Sequence, residues 1–126
     1  MKKILVACAV LLGTLHVTPA GAMSLSFSWG PTKKCFDGKS PPMTLGSVPD
    51  GAVKLRFRMI DKNVPSYPHG GGTVKWSGGS KGSLPYGAFS YKGPCPPSPH
   101  TYEFTVDELD KSGKKLATAK AQKRFP

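Results

Sequence analysis

Val53, Leu55, Phe57 and Met59 alternate with Lys54, Arg56 and Arg58. A period of two predicts a strand over 53–60, with one face buried and a basic row on the other. The same period returns at 101–108, where Tyr102, Phe104 and Val106 share one face and Glu103, Thr105 and Asp107 the other. Side by side, the two strands would set the basic row against Glu103 and Asp107 as cross-strand pairs, which argues against an open binding patch. Leu25, Phe27 and Trp29 alternate with Ser24, Ser26 and Ser28 and predict a first strand. A last strand is expected over 115–125, with Ala117, Ala119 and Ala121 on one face, joined to 101–108 through a turn at 110–113. Shorter extended pieces are expected at 43–45, 73–76 and 88–91, with a glycine-serine turn region over 77–83. Prolines at 94, 96, 97 and 99 fix φ and withhold donors, so 93–99 reads as a rigid loop feeding the 101–108 strand.

Composition agrees with this pattern. Fifteen glycines and thirteen prolines, and the lack of a long 3.6-period stretch, give an all-β class, a small antiparallel β-sandwich of one domain. The start of the chain differs. Lys2 and Lys3 precede an apolar run from Ile4 to Leu15, and Ala20-Gly21-Ala22 follows, the order of a cleaved signal peptide over 1–22. The run falls short of the roughly 20 apolar residues of a membrane span. The expectation is a periplasmic or secreted domain over 23–126 that does not span a membrane. After cleavage, sixteen basic residues face seven acidic ones, a net charge of +9. Such a charge attracts anions or keeps the chain soluble. Export and the absence of a recognition helix or ribonucleoprotein motif argue against nucleic acid.

Cys8 lies in the leader, which leaves Cys35 and Cys95. An exported pair is most simply a disulfide. The other reading makes Cys95 a nucleophile with His100, five residues on, as its base. A loop rich in proline and glycine follows the 53–60 strand and carries Asp61 and His69, and such loops commonly hold binding groups. With His100 they offer two histidines and one carboxylate, a donor set a metal could use. Neither metal nor cofactor is expected.

The order Cys35-Phe36-Asp37-Gly38-Lys39-Ser40-Pro41-Pro42, Val48-Pro49-Asp50-Gly51, Asp61 with Pro65, and Gly93-Pro94-Cys95-Pro96-Pro97 followed by His100 and Tyr102 resembles the phosphatidylethanolamine-binding protein family. The nearest branch is the bacterial Raf kinase inhibitor-like one. The resemblance implies a β-sandwich with a small pocket for an anion or phospholipid headgroup, a binding protein and not an enzyme. It also implies a part as protein inhibitor or signalling scaffold, with another protein as partner. Carried over by position, the ligand-binding residues are Asp61, Pro65, His69, Pro94, Pro96, His100 and Tyr102, with Cys35 and Cys95 as the disulfide. The chain departs from the family's acidic loop at Lys62 and Asn63, and glycines follow His69. Tyr102, Phe104, Val106 and the hairpin after them also suit an immunoglobulin-like protein-interaction module.

Overall fold

The strand predicted at 53–60 is the centre of the larger sheet. In the computed structural model, which describes residues 22–126, β3 (Lys54–Asp61) buries Leu55, Phe57 and Met59 and exposes Lys54, Arg56 and Arg58. The leader expected over 1–22 lies outside the described residues except for Ala22. β1 (Ser24–Phe27), β2 (Met43–Gly46), β4 (Gly71–Lys75), β5 (Gly82–Leu84), β6 (His100–Leu109) and β7 (Lys115–Phe125) complete the strand set. Two antiparallel sheets form, ordered β1-β2-β5 and β4-β3-β6-β7.

The apolar faces of both sheets meet in one core. Phe27, Phe57, Phe89, Tyr91, Tyr102 and Phe104 form its aromatic part, with Leu25, Leu45, Leu55, Met43, Met59 and Val106 around them. Full burial of each such side chain contributes roughly 1.5–3 kcal/mol. Ala117, Ala119 and Ala121 stand opposite Glu108, Val106 and Phe104. Their small size lets β1 pack close to β7.

The β3–β6 register pairs Arg56 with Asp107 and Ile60 with Glu103. Arg56 Nη2 lies 3.1 Å and Arg58 Nη1 3.5 Å from the same Asp107 oxygen, and Lys62 Nζ 3.7 Å from Glu103. Two of the row's three cations are therefore paired across the sheet, both on Asp107, while Glu103 is met by Lys62 from beyond the row and none of the ion pairs among the described residues includes Lys54.

Two short elements differ from expectation. Residues 88–91 make only a single bridge, Ser90 to Lys39, through the Tyr91 amide to the Gly38 carbonyl and the Ser40 amide to the Phe89 carbonyl. It goes no further because the Phe89 amide donates to Ser40 Oγ and the Ala88 amide to the Pro85 carbonyl. The region expected to turn over 77–83 does so at Gly79, where φ is 71°, and at Ser80, but its last two residues, Gly82 and Ser83, enter β5. A Cβ at Gly78 or Gly82 would stand 2.8 or 2.7 Å from the Trp76 indole, so these glycines serve close approach of a ring, not turning.

Candidate functional site

β3 ends and β6 begins at the same end of the sandwich, since Asp61 pairs with Tyr102. Two loops close over that end. One follows β3 through Asn63 and Val64 to Tyr67 and His69; the other is the proline loop that leads into His100. The disulfide joins Cys95 of this loop to Cys35, with Cα atoms 4.6 Å apart, which ties up the thiol that the nucleophile reading needs. Gly93 is required at the crossing, where a Cβ would stand 2.2 Å from the Asp37 carbonyl.

Between these loops lies a cavity of about 180 Å³, lined by Phe36, Asp61, Val64, Tyr67, His69, Cys95, Pro96, Pro97, His100 and Tyr102. Of the residues carried over from the sequence, Asp61, Pro96, His69, His100 and Tyr102 are brought together here. Pro65 and Pro94 are not. Pro65 is exposed on the outside of its loop, while Pro94 is fully buried and its carbonyl accepts from the Phe36 amide at 3.2 Å. Phe36, Val64, Tyr67 and Pro97 were not anticipated as lining, because alternation along a strand carries no signal for loops that meet across a fold.

The polar groups are tightly ordered. His100 Nδ1 donates to Asp61 Oδ2 at 2.7 Å, which leaves its Nε2 for a ligand. Asp61 Oδ1 accepts from the amides of Asn63 at 2.9 Å and Val64 at 3.2 Å. Burial alone would raise the Asp61 carboxyl, but the hydrogen bond from His100 and the two amides outweigh it and hold it below its ordinary value. Asp61 is therefore a carboxylate at neutral pH. Asn63 Oδ1 accepts from the Thr101 amide at 2.9 Å, so the residue standing where the resemblance expects a second acid pins the two loops without adding negative charge.

His69 is buried, and its Nδ1 faces the Lys92 carbonyl at 2.6 Å. A carbonyl only accepts, so Nδ1 carries the hydrogen and Nε2 is again the open nitrogen. The ring lies 4.7 Å from Tyr67 and edge-on to Tyr102 at 5.4 Å. Burial, with the nearby Asp61 charge, pushes the Tyr102 phenol up to about 12; it remains a neutral hydroxyl. Among the described residues, no three of His, Cys, Asp and Glu form a metal-holding group.

A phosphatidylethanolamine-binding protein homologue from Chlamydia trachomatis has the same architecture. It matches with a TM-score of 0.56 at 22% sequence identity, over 83% of this chain and 97% of that chain. The fold is of the phosphatidylethanolamine-binding-protein type. No family model and no curated protein sequence matches the chain. Its hairpin β6–β7 is the one that also suited an immunoglobulin-like reading. Among the described residues no helix is long and apolar enough to cross a membrane.

Proposed function

We propose that this is an exported, non-catalytic binding protein whose cavity takes a small phosphate-like anion. One observation carries the reading: an Asp61–His100 pair on the wall of a largely apolar cavity, with the second carboxylate oxygen already satisfied by two amides. The carboxylate needs no further partner, and a His100 held by it can donate from Nε2 to an anion oxygen. His69 Nε2, which holds a lone pair while Nδ1 donates to the Lys92 carbonyl, can accept from a protonated phosphate oxygen. Tyr102 lies 5.4 Å from the His69 ring and 6.4 Å from that of His100, and the apolar lining lowers the local dielectric so that each such contact gains strength. The leader pattern and the Cys35–Cys95 disulfide support export.

Calorimetric titration of the disulfide-intact protein with inorganic phosphate tests this. Saturable binding is expected, and His100→Ala should weaken it roughly 10- to 100-fold, the range for one charge-assisted hydrogen bond. Absence of binding at millimolar phosphate, or an unchanged affinity in His100→Ala, would count against the site.

A further inference from the structure

Two of the residues that line the cavity, Phe36 and Tyr67, are aromatic. Phe36 is unusual: half its surface is exposed, and its backbone is in the left-handed region at φ 54°. The adjoining disulfide and the hydrogen bond from its amide to Pro94 hold it there. Paired aromatic faces of this kind commonly receive the ammonium of a ligand. Here the place is taken. Lys92 Nζ lies 4.8 Å from the Tyr67 ring centroid and 5.3 Å from that of Phe36, within the range where an ammonium is attracted to a ring face.

The Lys92 backbone is fixed from the same side. Its amide donates to the His69 carbonyl at 2.8 Å and its carbonyl meets His69 Nδ1. None of the ion pairs among the described residues includes Lys92. Lys92 does not itself line the cavity, but its charge rests on two rings that do, and the one carboxylate of the lining, Asp61, is already paired with His100.

We propose that Lys92 sets the ligand class of the cavity: a phosphate monoester that carries no amine, in preference to a zwitterionic head such as phosphoethanolamine. A ligand phosphate is attracted by the Lys92 charge held on the two lining rings. A ligand ammonium finds its aromatic receptor occupied and meets a like charge. The inference rests on the phosphate reading of the cavity and adds the selectivity to it.

Dissociation constants for inorganic phosphate, glycerol phosphate and phosphoethanolamine, measured on the parent protein, Lys92→Ala and Lys92→Glu, separate the two. The Lys92 side chain is exposed and its hydrogen bonds are made by backbone, so both variants should fold. The parent should bind glycerol phosphate about tenfold more tightly than phosphoethanolamine, Lys92→Ala should bring the two within about twofold, and Lys92→Glu should reverse the order. If phosphate binds but the parent prefers phosphoethanolamine, or Lys92→Ala leaves the ratio unchanged, the selectivity proposal fails and the phosphate reading stands. If none of the three ligands binds the parent protein, both fail.

Discussion

The β3–β6 ladder carries a buried carboxyl group at each end, and the two have opposite fates. Asp61 closes β3 at the cavity end and has three hydrogen bonds, from one imidazole and two amides. Glu108, near the far end of β6, is fully buried beside Leu55 and Ala117, and among the described residues neither of its oxygens has a hydrogen-bond partner. Burial pushes Glu108 up to about 7, while the partners of Asp61 reverse the same effect. Depth of burial is thus a poor guide to the charge of a side chain; what surrounds its oxygens decides. One end of the sandwich is built to keep a negative charge, and the other end favours the protonated form of its carboxyl until the pH reaches about 7.

The largest effect should come from breaking the satisfied end. Asp61→Ala leaves His100 and two amides without their acceptor and should lower stability by about 3 kcal/mol in chemical denaturation, the scale for removing one member of a buried pair. If the loss were under about 1 kcal/mol, the three bonds would not be the anchor described.

The unsatisfied end should respond in the opposite direction. The folded-state value of Glu108 lies above its ordinary value of about 4.3, so the folded protein binds this proton more tightly than the unfolded chain. Its contribution is present in full at low pH and is lost as pH rises through the ordinary value toward about 7. Asp61 has the reverse sign. Its folded-state value is lowered, so its contribution is present above the ordinary carboxylate value of about 3.9 and is lost as pH falls through and below it. Together they place the stability maximum near pH 4–5. Glu108→Met should flatten the decline above that maximum and stabilise the protein at pH 8 by up to about 3 kcal/mol. A variant less stable than the parent at pH 8 would mean that Glu108 has a partner in solution.

The smallest effect sharpens the comparison with a third carboxylate. Asp107 is also buried, but Arg56 and Arg58 share it from exposed positions and Thr118 donates to its other oxygen at 2.7 Å. Arg58→Ala should cost under about 1 kcal/mol, since Arg56 remains and the arginines are open to solvent. A much larger loss would show that both arginines are needed to keep this carboxylate charged.

The three carboxylates also show how much the chain discloses. Alternation gives the basic row, its pairing with Asp107, the closing hairpin and the core face of β6, because a strand repeats every two residues whatever it packs against; Glu103 goes to Lys62 instead of to the row. β5 escapes because its glycine answers the Trp76 ring and not a turn, and the 88–91 strand stops at one bridge because the Ser40 hydroxyl and the Pro85 carbonyl claim the Phe89 and Ala88 amides. At the cavity, Asp61, His69, Pro96, His100 and Tyr102 were legible through the family resemblance. Phe36, Val64, Tyr67 and Lys92 were not, because they meet only after the disulfide and the β3–β6 register bring distant loops together. The charge state of Glu108 was equally hidden: the alternation places it on the inner face after Val106, but only the fold shows that nothing there can bind it.

Carboxyl carbon-13 NMR of the disulfide-intact protein, titrated from pH 2 to 9 with and without inorganic phosphate, tests the contrast between the two ends most directly. Asp61 should titrate below the ordinary carboxylate range and Glu108 at about 7, and phosphate should move the Asp61 signal while leaving that of Glu108 in place. Two carboxyls that titrate together in the ordinary range near 4, or a phosphate response at Glu108 and none at Asp61, would contradict the account.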